Sequence, residues 1–512
     1  MVEAFWLALA TPFLIGLACS WLMEALLRPR PVPPWRRPVA ALAVHIGIWT
    51  FAFAIELALF RRPYFAMANV LAVQLIIVLV SLAKYQALRE PFIYQDFEYF
   101  TDAIRHPRLY LPFMGVWRTC AAALGVAVAF WAGFAFEESM IAAATVPVSG
   151  FVMATGLLGL AGGLVAWLGG RCQIAVSFIP ASDLERLGLF ACLWSYAIHE
   201  RQPVQHIVKQ APFAARRSAV LSTSVAPHLV VIQSESFFDV RREFPEMQPS
   251  ILREFDALCA ESVQYGELEV AAWGANTIRS EFAFLSGYAA ETIGVHRFNP
   301  YRRLARRGKV PTLASHLQSR GYRTICIHPY HGSFYRRDKV LPLLGFDEFI
   351  DIREFAEAPR FGAYISDQAL ADKVAQLIGR RTDSPLYIHV ITMENHGPLH
   401  WEAVGEKDRQ DVLRAPFPQG CDEFVAYGRH LRNSDAMFRR VADALRASDR
   451  PGGMLGIFGD HVPIMSQAYR CLRAPLGTSD YLVWKEGQHG PAHKTSMKIK
   501  DLATMLAEHL ET

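Results

Sequence analysis

Several protein classes are excluded by what this sequence lacks. Its eight cysteines are scattered over 512 residues with no C-x-x-C pair, which rules out a disulfide scaffold and a zinc ribbon. Charge is scarce: 20% of residues are Asp, Glu, Lys or Arg, against about 25% in an average soluble chain. A formal net charge of +4 is too small to argue for a nucleic-acid partner. There is no internal repeat and no low-complexity tract, and a chain that is 52% hydrophobic has little room for long disordered tails.

Long apolar runs take their place. Mean hydropathy is +0.16, and the apolar residues crowd the first third of the chain. Crossing about 30 Å of hydrocarbon takes roughly 20 mostly apolar residues as helix. Five stretches qualify: 5–27, 39–60, 65–82, 116–136 and 148–168. The first is too long for a signal peptide and has neither a basic start nor a small-residue cleavage site, so it reads as a retained span. Trp6, Trp21, Trp35, Trp117, Trp131 and Trp167 lie near span ends, as an interfacial aromatic belt would.

Residues 1–170 are therefore expected to form a transmembrane domain of about five helices. Residues 171–226 read as a juxtamembrane connector with an amphipathic piece at 184–198. Residues 227–512 read as a separate domain, where short β-branched runs alternate with helical stretches. That alternation predicts an α/β fold with a central, mostly parallel sheet. Basic residues cluster after the first span (Arg28, Arg30, Arg36, Arg37) and after the third (Lys84, Arg89, Arg105, Arg108). The positive-inside rule then places the N-terminus outside and, with five spans, the C-terminal domain in the cytoplasm.

In an open α/β sheet, ligands bind beyond the carboxyl ends of the strands. Five strand-like runs here, at 228–233, 266–273, 323–327, 386–392 and 454–459, lead directly into polar residues. The first leads into Glu235, the second into Asn276 and Thr277, the third into His328. The fourth leads into Glu394 and His396, and the fifth into Asp460 and His461. Two carboxylates and an imidazole (Glu235, Asp460, His461) suit Mn²⁺, Zn²⁺ or Mg²⁺. A divalent ion lowers a hydroxyl pKa, which makes Thr277 a candidate nucleophile and fourth ligand. Thr277 opens a predicted helix, whose free N–H groups and dipole favour a phosphate. Arg337 and His396 are candidates to hold that phosphate and its headgroup. Singly, each residue has a plainer role: Thr277 as a helix cap, Glu235 as a loop acid, Arg337 as surface charge. Their joint order along the chain raises them above it.

That order resembles the lipoteichoic acid synthase and phosphoglycerol transferase family of the alkaline phosphatase and sulfatase superfamily. The matching segments are Val230-Val-Ile-Gln-Ser-Glu-Ser-Phe237, Gly274-Ala-Asn-Thr-Ile-Arg-Ser-Glu-Phe282, Gly332-Ser-Phe-Tyr-Arg-Arg337, Leu344-Gly-Phe-Asp-Glu-Phe349, Thr392-Met-Glu-Asn-His-Gly-Pro398 and Phe458-Gly-Asp-His-Val-Pro463. They cover most of 227–512 in the family's order. The resemblance implies a sulfatase-like domain that faces the periplasm or cell exterior from the cytoplasmic (inner) membrane, opposite to the side the charge rule gives.

It also implies Mn²⁺ held by Glu235, Thr277, Asp460 and His461, with Thr277 as nucleophile. Arg337, His396, His328 and Tyr335 would contact substrate. The expected activity is transfer of glycerophosphate from phosphatidylglycerol to an envelope glycan or glycolipid. A phosphoethanolamine transferase, a phosphodiesterase and a non-catalytic scaffold or sensor are the alternatives. Four positions depart from the family pattern: Ala275 and Asn276 precede Thr277 where Gly-Lys is more typical, Arg279 replaces a small acid, and Tyr335 replaces Trp. No cysteine begins the C-x-P-x-R segment of a formylglycine sulfatase, and no residues are placed as the further metal ligands that an alkaline phosphatase needs.

Overall fold

The computed structural model describes residues 2–99, 124–142 without 126, 129 and 132, 147–172, 174–214, 226–305, 310–488 and 490–511. The chain divides into two compact units, Met1–Gln202 and Pro203–Thr512.

In the first unit, helices Val2–Glu24, Val39–Phe60, Pro63–Leu88 and Val148–Arg171 are each long and apolar enough to cross a membrane. They correspond to four of the five predicted spans, and the chain is membrane-anchored. About half of the span predicted at 116–136 lies outside the described residues. Helices Val39–Phe60 and Val148–Arg171 approach closely through glycine. A Cβ on Gly47 would stand 2.3 Å from the backbone nitrogen of Ala166, and one on Gly162 2.7 Å from that of Phe51. Small residues allow such backbone contact where no hydrophobic force drives helices together. The amphipathic piece expected at 184–198 is two helices, Pro180–Leu187 and Leu189–Glu200. They part at Gly188, whose φ of 79° suits glycine. Both fall within the first unit, and the Leu189 N–H donates to Glu24 Oε1 at 2.8 Å.

The second unit is built on a nine-stranded sheet. In chain order its elements are β1 Leu229–Ser234, β2 Gln264–Glu269, β3 Arg323–Ile327, β4 Glu348–Ile350, a separate hairpin of β5 Arg360–Phe361 and β6 Tyr364–Ile365, then β7 Leu386–Ile391, β8 Met454–Gly459, β9 Ser479–Lys485, β10 His493–Lys494 and β11 Met497–Lys498. The spatial order is β10-β2-β9-β8-β1-β7-β3-β4, with β11 also on β2. Every residue of β1, β7 and β8 is buried, as expected for central parallel strands covered on both faces. Leu229 and Val231 pack into one apolar cluster with Phe282 and Leu502, while Val230 and Ile232 pack into the other with Leu370 and Phe438. This is the two-residue alternation of a strand sharing itself between two helical layers.

β8, β1, β7 and β3 are mutually parallel. β2 and β8 each run antiparallel to β9, so β2 points the same way as β8. The five predicted strand ends therefore share one rim. The strand expected at 266–273 instead ends at Glu269. Beyond it the Ala271 N–H donates to the Ser280 hydroxyl at 3.3 Å rather than to a neighbouring strand, so 270–276 is the loop that brings the chain to Thr277.

Candidate active site and metal centre

β1 and β8 are paired in register with Ser234 opposite Gly459, so the next residues, Glu235 and Asp460, leave the sheet side by side. His461 follows, and one ligand atom from each of the three lies within 4.8 Å of the others. His461 Nε2 stands 3.5 Å from Glu235 Oε1 and 3.6 Å from Asp460 Oδ2. Ser236, at φ 54°, closes the turn: its N–H donates to Asp460 Oδ1 at 2.9 Å and its hydroxyl to Glu235 Oε1 at 2.8 Å. From β7, the Thr392 hydroxyl accepts the Glu235 N–H at 2.9 Å.

The donor set fits a divalent cation. His461 Nδ1 lies 3.1 Å from the Val462 carbonyl. A carbonyl can only accept, so Nδ1 carries a proton, which leaves Nε2 as the ring atom that faces the two carboxylates and would ligate a cation between them. Asp460 Oδ2 is buried with no hydrogen-bond partner, an acceptor that burial penalises unless a cation meets it. Burial, and then the Glu235 charge, push Asp460 up to about 7. Burial pulls His461 down, but Asp460 and Glu235 outweigh it and raise it.

Thr277 is the first residue of helix Thr277–Ser286, and its Oγ1 lies 3.5 Å from His461 Nε2. Asn276 before it is left-handed at φ 65°, a conformation that asparagine tolerates better than most residues. Ser280 ties this helix to the loop of the candidate ligands by donating to the Asp460 carbonyl at 2.6 Å. No side chain caps the first turn of the helix, which thus meets the rim where an anion is favoured.

A second cluster brings together Arg337, His328 and Tyr335. Arg337 and His328 are both buried. Arg337 donates through Nη2 and Nε to the two oxygens of Glu281 at 2.6 and 3.2 Å, and through Nη1 to His328 Nε2 at 3.2 Å. Burial, and then Arg337, push His328 down to about 3. The ring is therefore neutral, with Nδ1–H donating to the Ile391 carbonyl at 3.1 Å. Burial pushes Glu281 up, but Arg337 and the Tyr301 hydroxyl outweigh it and hold the carboxyl below its usual range. The Arg337 guanidinium lies 5.3 Å from the Tyr335 ring centroid. His396 lies in the loop beyond β7. Its Nδ1 is 2.8 Å from the Gly397 carbonyl and 3.4 Å from the Tyr364 hydroxyl.

Glu281 was not among the sequence candidates. Its signal was there to read: a carboxylate one turn after Thr277, directly before the apolar run Phe282 to Leu285. Also missed was a buried chain behind Glu394. His430 donates to Glu394 at 3.1 Å and to Glu402 at 2.9 Å, and the Asp367 N–H donates to Glu394 at 2.6 Å.

A mostly parallel sheet with two carboxylates, an imidazole and a hydroxyl on its carboxyl rim defines a domain of the alkaline phosphatase and sulfatase class. Residues 227–512 match the family model Sulfatase, and the chain belongs to that family. The capsular polysaccharide biosynthesis protein RkpI of Rhizobium meliloti (strain 1021) is 28% identical over 458 residues, covering 84% of this chain and 77% of that protein. Lipoteichoic acid synthase 1 of Bacillus subtilis (strain 168) is 24% identical over 166 residues, 31% of this chain and about a quarter (24%) of the synthase. Among solved structures, the integral membrane lipooligosaccharide phosphoethanolamine transferase A (EptA) from Neisseria meningitidis superposes with a TM-score of 0.56 at 13% identity, over 91% of this chain and 87% of that one. That likeness shows a shared fold, membrane helices followed by a phosphotransferase-like domain.

Proposed function

We propose that this protein is a metal-dependent phosphoglycerol transferase that moves glycerophosphate from phosphatidylglycerol to a glycan or glycolipid of the cell envelope. The observation that carries this reading is the placing of the Thr277 hydroxyl, at a helix N-terminus and against the Glu235–Asp460–His461 ligand set. Glu235, Asp460, His461 and Thr277 would hold one divalent ion, with Mn²⁺ first and Zn²⁺ or Mg²⁺ as substitutes. Such an ion supplies positive charge that lowers the Thr277 pKa and offsets charge on the reacting phosphate.

Thr277 Oγ attacks the donor phosphorus in line, and the bond from phosphorus to the diacylglycerol oxygen breaks. Diacylglycerol leaves as the alcohol, taking a proton, and glycerophosphate remains esterified to Thr277. An acceptor hydroxyl then attacks the same phosphorus, loses its proton, and Thr277 leaves and is reprotonated. The N–H groups at the start of the Thr277 helix orient the phosphoryl oxygens through both steps. His396, half-buried at the pocket edge, is placed to hold the headgroup or carry a proton.

A lipid donor explains the anchor, since both then diffuse in the plane of the membrane. The polysaccharide role in the name of RkpI supports a saccharide acceptor, and with it a multi-pass protein of the cytoplasmic (inner) membrane whose domain faces the periplasm or exterior. A phosphoethanolamine donor is the second reading. Glu281 matches the Arg337 charge, which removes the free cation that would favour an anionic headgroup.

The test uses the full-length protein in detergent with Mn²⁺ and headgroup-labelled phosphatidylglycerol. Diacylglycerol release and a glycerophosphate adduct by intact mass, both lost in Thr277→Ala, are expected. Reaction with phosphatidylethanolamine alone would transfer the assignment to the second reading. No reaction with either lipid under any of the three metals would defeat both.

A further inference from the structure

Beyond the carboxyl end of β7, a cleft of about 370 Å³ is lined by His396, Trp401, Glu402, Arg429 and the β5–β6 turn at Gly362 and Ala363. We propose that this cleft is the acceptor subsite and that it binds a pyranose ring, stacked on Trp401 and hydrogen-bonded by Glu402. The proposal rests on the phosphotransfer reading above and gives its saccharide acceptor a binding place.

Trp401 is 65% exposed. A large aromatic face left open at the wall of a polar cleft matches the C–H face of a sugar, whose weakly positive hydrogens meet the negative face of the ring. Glu402 accepts from His430 through Oε1, so Oε2 is the oxygen that would accept from a sugar hydroxyl. The side chain is held rigidly, because His430 donates to it at 2.9 Å and is itself fixed to Glu394 at 3.1 Å. His430 is fully buried behind the carboxylate, whereas the Glu402 side chain keeps 20% exposure toward the cleft.

Gly362 keeps the opposite wall close without blocking it. Its φ is +60° and a Cβ there would stand 2.5 Å from Glu402 Oε1. Arg429 braces the cleft by donating to the Ala403 carbonyl at 3.0 Å while its guanidinium lies 5.1 Å from the Phe361 ring centroid.

The cleft is also within reach of the chemistry. Thr392 accepts the backbone N–H of the metal-site residue Glu235, and His396 on the cleft wall is four residues further on. An extended chain of that length spans at most about 14 Å. The His396 wall of the cleft therefore stands no more than about 14 Å from Thr392, the residue against Glu235, and a saccharide seated on Trp401 would turn a hydroxyl from that wall toward Thr277.

Two measurements on the full-length protein in detergent test this. In the first, donor-free protein is mixed with a β-linked gluco-oligosaccharide and followed by saturation-transfer NMR. Signal in the wild type, lost in Trp401→Ala and kept in Trp401→Phe, is expected, and absence of signal in the wild type overturns the proposal whatever the donor assay gives. The second measures glycerophosphate transfer to methyl β-D-glucopyranoside. Trp401→Ala and Glu402→Gln should each raise the acceptor KM at least tenfold and the donor KM far less. Equal rises in both constants overturn the proposal, because the cleft would then serve the donor headgroup. Oligosaccharide signal without donor cleavage would mark failure of the phosphotransfer reading alone.

Discussion

Glu281 lies one helical turn beyond Thr277 and receives the Arg337 guanidinium on both of its oxygens. The helix that carries the candidate nucleophile is thereby pinned to the segment that carries the candidate substrate arginine. Both side chains are about 1% exposed or less, so neither charge can turn to water if the other is removed. Glu281→Gln should cost about 3–5 kcal/mol, the usual penalty for leaving one partner of a buried pair uncompensated. Thermal unfolding of the full-length protein in detergent checks this. The double variant Glu281→Gln with Arg337→Met should lose much less than the two single losses added together. Strict additivity would show that the two side chains do not depend on each other.

Asp460 Oδ2 makes a second prediction, as a buried acceptor without a hydrogen bond. Mn²⁺ should raise the melting temperature of the wild type, since a ligand bound only by the folded state stabilises it. Asp460→Asn should abolish that rise and, with it, diacylglycerol release. Thr277→Ala should abolish release while keeping most of the Mn²⁺-dependent rise, because three ligands remain. A melting temperature indifferent to Mn²⁺, Zn²⁺ and Mg²⁺ in the wild type would argue against a metal centre here.

The features that were legible in the sequence are those with a local signature. Each site strand announces itself as a short buried run with polar residues at its end, so Glu235, His328, His396, Asp460 and His461 could be placed on one rim before any coordinates. Thr277 was legible as a helix start. The Glu281–Arg337 pair was not, because its members are 56 positions apart and pairing of buried charges across elements leaves no periodic trace. The end of β2 was misjudged for a related reason: Val270 and its neighbours have strand-like composition, but the Ala271 N–H is claimed by Ser280. The break at Gly188 escaped because a single glycine inside an amphipathic pattern is a weak signal until its φ is known.

His430 gives a pH dependence. It is buried between Glu394 and Glu402, with Asn433 donating to the same Glu394 oxygen at 2.6 Å and Asp367 close behind. Burial pushes the imidazole down, but its hydrogen bonds to the two carboxylates outweigh this and raise it to about 9. A proton held more tightly in the folded state stabilises it fully below the unfolded pKa of about 6.5, and that contribution disappears as pH rises through about 9. The shift corresponds to a contribution on the order of 3 kcal/mol at most. The melting temperature of His430→Gln should therefore fall furthest below the wild type near pH 6 and draw closer toward pH 10. A gap independent of pH would mean that His430 is neutral in the folded protein.

Cys421 and Cys471 test the side of the membrane. The Cys421 thiol is pushed up to about 11, first by burial and then by its hydrogen-bonding neighbour Cys471, and both cysteines are free in this structure. Two thiols in such contact close to a disulfide in an oxidising compartment and stay reduced in the cytoplasm. The positive-inside rule with five spans puts the domain in the cytoplasm, whereas a lipid donor and an envelope acceptor require the outer face. Protein taken from cells into denaturant with an alkylating reagent and no reductant decides between them. On the outward reading, Cys421 and Cys471 escape alkylation and the peptide pair is recovered linked, while Cys421→Ser frees Cys471 to react. Full alkylation of both residues in the wild type would favour the cytoplasmic side and remove the acceptor assignment with it.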